Sequence, residues 1–319
     1  MAAITVDNPL LLPRLTRPAP DSRPRPVITV EASRRTVEGA GFVVWRPFPG
    51  GVDTALTDPF FLLDQLGPVQ YGPHEAVGAP WHPHRGFETV TYVLEGSIVH
   101  HDSNGGGGVI HAGDTQWMTA GSGLLHDEVP TEAFVRSGGL SHGVQLWVNL
   151  PAAAKFTPPA YQAITADALT LVTTEDAGAL IRVIAGELGA HRGPGSTHTP
   201  ITYLHVSLRP GARLEMDWDQ SFNALVHVLS GRGDAGVERR AIADHDLVVF
   251  GSGDTIAIQA ASQQAEPDDD LEVLILGGRP LREPIAHWGP FLMNTRDQIA
   301  DAIEDYRSGK MGSIPAITR

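Results

Sequence analysis

The feature that most constrains the fold of this chain is an internal repeat of strand-like segments. HRGFETVTYVLEG at 84–96 aligns with DQSFNALVHVLSG at 219–231, and GDTQWMTAGSG at 113–123 aligns with ADHDLVVFGSG at 243–253. The offset between the copies falls from 135 to 130 residues, so the second copy is shorter near the glycine-rich loop DSNGGGG of the first. Such a repeat predicts two related β-domains in tandem.

The rest of the chain is also organised as short strands joined by turns. Its 35 glycines and 25 prolines are spread along the whole length, as expected where turns separate many strands. The intervening runs are rich in Val, Ile, Thr, Leu and Tyr, which favour strands. They cover residues 42–48, 89–101, 197–209, 224–231, 246–251, 254–260 and 271–278. A helical pattern is confined to 295–310, with Thr295 as its N-cap. We therefore predict an all-β fold with a short C-terminal helix.

The domain boundaries follow from a break in this pattern. The segment PAAAKFTPPAYQA at 151–163 interrupts the succession of strands and marks a linker. The predicted organisation is an N-terminal extension at 1–28, a first β-domain at 29–150, a linker at 151–165, a second β-domain at 166–284 and a helical tail at 285–319.

Charge and composition exclude several classes of function. The chain has 23 Lys and Arg against 37 Asp and Glu, a net charge of −14, so direct binding to nucleic acid is not expected. It contains neither a polybasic patch nor an apolar run of the ~20 residues that span a bilayer, so no membrane partner is expected. Cysteine is absent, which removes disulfides, thiolate catalysis and thiolate ligands. With no signal-peptide pattern at the start, a cytoplasmic location is expected.

Histidines are concentrated in the first half of the chain. Half of the 14 lie between positions 74 and 126, namely His74, His82, His84, His100, His101, His111 and His126. In an extended chain, residues two apart point to the same side, so His82 and His84 can converge, as can His126 and Glu128. An isolated pair of this kind is more often hydrogen-bonded at a strand entry. Two such pairs in one domain instead indicate a transition-metal site, with nitrogens ~2 Å from the ion.

The second copy of the repeat provides an internal control for this interpretation. In the alignment, Asp217 and Asp219 take the places of the first histidine pair, whereas Ile256 and Ile258 take those of His126 and its glutamate. Isoleucine cannot bind a metal. Framework residues therefore repeat and ligand residues do not, which favours a function local to the first domain.

Three long segments resemble the pirin family of the cupin superfamily: HPHRGFETVTYVLEG, GDTQWMTAGSGLLHDE and HWGPFLMNTRDQIADAIEDYRSG. The resemblance implies two tandem, jelly-roll-like antiparallel β-barrels of the cupin type, with a single metal ion in the N-terminal barrel and none in the C-terminal one. The ligands that it implies here are His82, His84, His126 and Glu128. The metal implied is Fe(II), and Mn, Co, Ni, Cu or Zn suit the same ligand types.

Glu88 is an alternative carboxylate ligand. It shares the strand parity of His84, and the general cupin pattern places a glutamate ligand shortly after its histidine pair, so spacing alone leaves this choice open. The pirin pattern uses Glu128 and leaves Glu88 to support the site or the fold. His100 and His101 end a strand next to the glycine-rich loop and are expected to be solvated.

The resemblance also implies a function. It points to a quercetin 2,3-dioxygenase-like oxidoreductase, in which O2 and a flavonol or related enediol meet at the metal. Glu128 would be the catalytic residue that accepts the proton of the substrate hydroxyl. The alternative is a metal-dependent, redox-sensitive regulator that acts through a protein partner, for which an acidic surface is suited. Both functions require the same four ligands.

Overall fold

The computed structural model describes residues 4–38, 41–267 and 269–314, which form two compact units. Each unit gathers segments that are distant in the sequence. The first, here called the histidine unit, comprises Arg35–Trp45, Pro59–Ala166 and Leu281–Arg319. The second, here called the apolar unit, comprises Met1–Arg34, Arg46–Asp58 and Asp167–Pro280.

Strands dominate the described residues. In the first half of the chain they are β1 (Val27–Ala32), β2 (Arg34–Glu38), β3 (Phe42–Phe48), β4 (Phe60–Tyr71), β5 (Ala79–His84), β6 (Phe87–Glu95), β7 (Ser97–Asp102), β8 (Gly107–His111), β9 (Thr115–Thr119), β10 (Leu124–Pro130), β11 (Gly139–Asn149) and β12 (Ala160–Ile164). In the second half they are β13 (Thr170–Thr173), β14 (Ala179–Ala185), β15 (Glu187–Leu188), β16 (His191–Arg192), β17 (Ile201–Leu208), β18 (Arg213–Asp217), β19 (Ala224–Ser230), β20 (Gly233–Ala235), β21 (Arg240–Ile242), β22 (Asp246–Phe250), β23 (Thr255–Ala260), β24 (Leu271–Gly278), β25 (Ala286–Trp288) and β26 (Phe291–Met293).

Helices are few and short. The α-helices are α1 (Thr54–Thr57), α2 (Glu132–Ser137) and α3 (Arg296–Arg307), and three-residue 3-10 turns lie at Pro9–Leu11, Ala152–Ala154 and Ala166–Ala168. Thr295 caps α3 in a capping box with Gln298, as the sequence predicts. Within the described part of the chain, no helix is both long and apolar enough to cross a membrane.

Both units contain the same pair of antiparallel sheets. In the histidine unit, a seven-stranded sheet has the order β12-β9-β6-β11-β4-β3-β2 and a four-stranded sheet the order β5-β10-β7-β8. In the apolar unit, the corresponding orders are β1-β22-β19-β24-β17-β14-β13 and β18-β23-β20-β21. The strands therefore correspond one to one, and the repeat predicted from the sequence is present in the fold. Each unit is an open, jelly-roll-like pair of sheets rather than a closed barrel. The prediction of two tandem all-β domains with a short C-terminal helix is confirmed.

The strand pattern explains where the cores lie. In the apolar unit, alternate residues of β17 (Leu204, Val206 and Leu208) enter a large apolar core together with residues of β23 and β24. In the histidine unit, the buried residues include many polar side chains, among them Thr91, Gln116 and His126.

The C-terminal segment packs against the back of strand β5. Ile299 and Ala302 of α3 join Phe291, Met293 and Leu125 in one buried apolar cluster. The amide of Leu292 donates to the carbonyl of Arg85, directly after β5. The end of the chain is therefore part of the framework that holds the histidine strand.

Candidate metal centre

Two antiparallel strands of the smaller sheet bring three histidines together. In the register of β5 and β10, His82 lies directly opposite His126, and His84 lies two residues further on, on the same face. The ligand nitrogens of these three residues all lie within 4.8 Å of one another. His84 and His126 are buried, and His82 is partly exposed. This is the convergence that the sequence predicts.

Backbone carbonyls fix the tautomers of the first two histidines. Nδ1 of His82 lies 2.7 Å from the carbonyl oxygen of Pro80, and Nδ1 of His84 lies 3.2 Å from that of Pro290. Because a carbonyl only accepts, each Nδ1 carries the proton and each Nε2 is left with a lone pair. The two Nε2 atoms are 3.0 Å apart. Two lone pairs at that distance repel each other unless a shared proton or a metal ion binds to them.

The third imidazole shows that a metal fits. The Nε2 atom of His126 is fully buried and has no hydrogen-bond partner among the described residues. A buried polar nitrogen without a partner is destabilising unless something binds it. Its ring centre is 4.3 Å from that of His82 and 4.9 Å from that of His84. Neutral imidazole nitrogens are common metal ligands, so this donor set suits a divalent transition ion.

Burial keeps His84 and His126 neutral. Loss of solvation lowers the pKa of His84 well below its usual value, and the neighbouring His82 lowers it further. Loss of solvation likewise lowers the pKa of His126 well below its usual value, with His84 and His82 adding to the effect. At neutral pH, protons therefore compete weakly with a metal for these nitrogens.

Glu128 lies on the same strand but is not among the three convergent groups. Its Oε1 accepts a hydrogen bond of 2.7 Å from the Thr91 hydroxyl and a further one from the Gln116 side chain. Thr91 Oγ1 is also 2.6 Å from Gln145 Oε1. Glu128 is therefore held by a polar network next to the histidines, and its role as fourth ligand stays a prediction.

The other candidate residues lie in different settings. Glu88 is fully buried in β6, and its Oε1 accepts from the Thr119 hydroxyl at 2.9 Å. His101 is exposed and pairs with Asp127, as expected for a solvated residue. The prediction for His100 is wrong, since this side chain is fully buried. It lies within β7, two residues before the strand ends, and its ring contacts that of His126.

Aromatic side chains form the apolar surroundings of the site. The Trp147 ring lies edge-on to His84 at 5.3 Å and against Phe87 at 4.2 Å, measured between ring centres. Phe87 is also 5.0 Å from His84. Trp147 is only half-buried. A half-buried indole beside the histidines offers a flat apolar surface to a ligand.

The apolar unit shows what this arrangement looks like without ligands. Its strand register places Met216 opposite Ile256, in the positions that His82 and His126 occupy in the histidine unit. Trp218 then corresponds to His84, and Ile258 to Glu128. All four side chains are buried in the apolar core. The sequence alignment, which placed Asp217 and Asp219 opposite the histidine pair, is wrong by one residue. Three residues separate Trp218 from Phe222, whereas two separate His84 from the aligned Phe87.

A jelly-roll pair of sheets with three imidazoles converging on its smaller sheet has the architecture of a metal-binding cupin. The chain belongs to the pirin family. The family model described as Pirin matches residues 41–148, and the one described as Pirin C-terminal cupin domain matches residues 203–312.

Relatives match over most of their length. Pirin-1 of Arabidopsis thaliana is 38% identical over 296 residues, which cover 92% of this chain and 96% of the relative. A Pseudomonas aeruginosa protein with the provisional name quercetin 2,3-dioxygenase is 40% identical over 273 residues, covering 85% of this chain and 93% of the relative. The crystal structure of a quercetin 2,3-dioxygenase from Acinetobacter baumannii matches with a TM-score of 0.84 at 37% identity, covering 91% of this chain and 99% of that one.

Proposed function

We propose that this protein is a mononuclear non-haem iron dioxygenase that acts on a flavonol or a related enediol. The observation that carries the proposal is the set of three imidazoles whose ligand nitrogens lie within 4.8 Å of one another. The similarity to proteins named quercetin 2,3-dioxygenase supports the substrate class. Fe(II) is the proposed ion, held by His82, His84 and His126 with Glu128 as the fourth ligand. When bound, iron would supply the redox chemistry by which the substrate is oxidised by O2.

The side chains around the histidines have separate roles in this proposal. Glu128 accepts the proton of the substrate hydroxyl, and its hydrogen bonds from Thr91 and Gln116 hold the carboxylate in place for that transfer. Trp147 offers its half-buried ring to the planar substrate. The apolar surroundings of His84 limit access of water to the reacting groups.

Substitution of the ligands tests the metal centre. His82→Ala and His126→Ala should abolish iron binding after anaerobic reconstitution with Fe(II), because each removes one of three converging nitrogens. His111→Ala, which changes an exposed histidine outside the cluster, is the matched control and should bind iron like the wild type. Stoichiometric iron in both ligand variants would overturn the assignment.

Oxygen uptake tests the reaction. The reconstituted protein should consume O2 with quercetin or another member of an enediol panel, and Glu128→Gln should lose most of this activity. Stoichiometric iron without turnover on any member of the panel would refute the dioxygenase. It would favour the alternative, a redox-sensitive regulator acting through a protein partner.

A further inference from the structure

A row of three buried side chains extends from the metal centre on the Nδ1 side of the His126 ring. Nδ1 of His126 lies 3.3 Å from Nδ1 of His100, and Nε2 of His100 lies 3.5 Å from Oδ2 of Asp102. All three side chains are almost completely buried. The His100 ring stacks on Tyr161, with ring centres 4.9 Å apart and planes within 20°. The stacking holds the His100 ring in one orientation.

The carboxylate of Asp102, at one end of this row, determines the tautomer of His126 at the other end. Nε2 of His100 makes no hydrogen bond within the described residues, but the carboxylate 3.5 Å away attracts an N–H and repels a lone pair, so this nitrogen carries the proton. Nδ1 of His100 is then an acceptor. The facing Nδ1 of His126 must therefore donate, which leaves the orphaned Nε2 of His126 with its lone pair.

The glycine-rich loop holds the carboxylate in place. Oδ1 of Asp102 accepts hydrogen bonds from the backbone amides of Asn104 and Gly106, at 2.7 and 2.9 Å. A Cβ atom on Gly106 would lie 2.3 Å from Oδ2 of Asp102 and 2.9 Å from Cβ of Tyr161. The loop between β7 and β8 thus fixes the position of the Asp102 carboxylate. A side chain larger than that of glycine at position 106 would collide with this carboxylate.

We infer that His100 and Asp102 are positioning residues of the metal centre, which act through His126 and are themselves not ligands. They fix the tautomer and the ring orientation of His126, and they make its Nε2 a stronger electron-pair donor to a metal ion. Loss of a partner of this kind lowers metal affinity by about 10–100-fold in other metal sites. The inference rests on the proposed metal-binding role of the three histidines.

The first test separates loss of the acceptor from loss of packing. His100→Leu keeps most of the volume but cannot accept from His126, whereas Asn at position 100 can place an oxygen near the original Nδ1. We expect the Kd for Co(II) to rise by about 10–100-fold in His100→Leu. His100→Asn should recover most of this loss, and Asp102→Asn should show a smaller loss. His101→Leu, which alters the exposed neighbour, is the control and should leave the Kd unchanged.

The same variants have a spectroscopic signature. In zinc-loaded protein labelled with 15N at histidine, the Nδ1–H of His126 should give a slowly exchanging signal in the wild type. That signal should be lost in His100→Leu and retained in His101→Leu. A role limited to folding would leave the tautomer unchanged.

The second test acts from the loop. Gly106→Ala should displace Asp102 and weaken Co(II) binding, whereas Gly108→Ala should not, because its Cβ would meet only the Tyr161 hydroxyl at 3.8 Å. Neither glycine has a positive φ that would by itself oppose alanine. If folded His100→Leu and Gly106→Ala both bind Co(II) within twofold of the wild type, the positioning role is refuted and the metal site stands. If the wild type itself does not bind Co(II), the proposed function fails first.

Discussion

Lys155 is a buried lysine that connects several segments of the histidine unit, and its replacement should lower the stability of the protein. The side chain is fully buried and its Nζ donates to three oxygens. These are the carbonyls of Gly86 and Leu292, both at 2.8 Å, and the side-chain oxygen of Asn149 at 2.7 Å. One ammonium group thus joins the segment after β5, the end of β11 and the C-terminal strand β26.

The expected magnitude follows from these contacts. Burial lowers the pKa of Lys155 to about 7, so the folded protein holds the ammonium form less firmly than an exposed lysine would. While the group is charged, each of its hydrogen bonds contributes about 1.5–3 kcal/mol. Lys155→Met removes both effects but leaves three buried acceptors without a donor, at about 1–3 kcal/mol each. We therefore expect the free energy of unfolding to fall by about 3 kcal/mol or more.

The chain contains a matched control, because its only other lysine is Lys310. Lys310 is exposed and pairs with Asp305 at 2.7 Å, so Lys310→Met should cost less than about 1 kcal/mol. Urea unfolding followed by tryptophan emission is the assay, since the apolar unit contains only Trp218 of the 6 tryptophans. If Lys155→Met lies within 1 kcal/mol of Lys310→Met, the argument from unpaired acceptors is wrong.

Three further substitutions test other parts of the structure. Thr295→Ala removes the cap of α3 and should lower the free energy of unfolding by about 1 kcal/mol in urea, and an unchanged value would mean that the cap contributes nothing. Burial lowers the pKa of His205 in the folded protein. Below about pH 6.5, the unfolded chain therefore binds a proton at this residue that the folded protein does not bind. The stability that is present above that pH is lost as the pH falls. His205→Gln should flatten this fall by up to about 1.4 kcal/mol per pH unit in unfolding measured from pH 7 to 5, and an equal slope would contradict it. Gly86→Ala, with φ of +91° and a Cβ 2.1 Å from the Leu292 carbonyl oxygen, should cost several kcal/mol in thermal unfolding, and wild-type stability would contradict this contact.

Much of the fold is predictable because it depends on local patterns. The bounds of β3 and β24 agree with runs of β-branched and aromatic residues that end at turns. The three convergent histidines are predictable because strand geometry places residues two apart on the same side. The run at 89–101 is in fact two strands, β6 and β7, separated by a turn at Gly96 with φ of +90°.

What the sequence misses depends on contacts with no local signature. The carbonyl of Pro290 that orients His84 comes from 206 residues away, and a backbone oxygen leaves no residue pattern. The sequence predicts a solvated His100 because the predicted strand ends at 101, whereas β7 continues to Asp102. Its two-residue spacing to Asp102 was the available signal, since both then face inward. The alignment of the two repeats is also wrong near Asp114. The Asp114 side chain accepts a hydrogen bond from the backbone amide three residues earlier, and the residue that makes the same contact in the apolar unit is Asp246.

The interleaving of the two units constrains the order in which a growing chain can complete them. Strand β1 opens the sheet of the apolar unit, yet Val27 pairs with Phe250, which is synthesised 223 residues later. At about 5–20 residues per second, that strand waits roughly 10–45 s for its partner. The histidine unit finishes later still, because the carbonyl that orients His84 belongs to Pro290. A nascent chain therefore carries all three histidines long before their final arrangement can form, and the complete site requires that Pro290 has been synthesised.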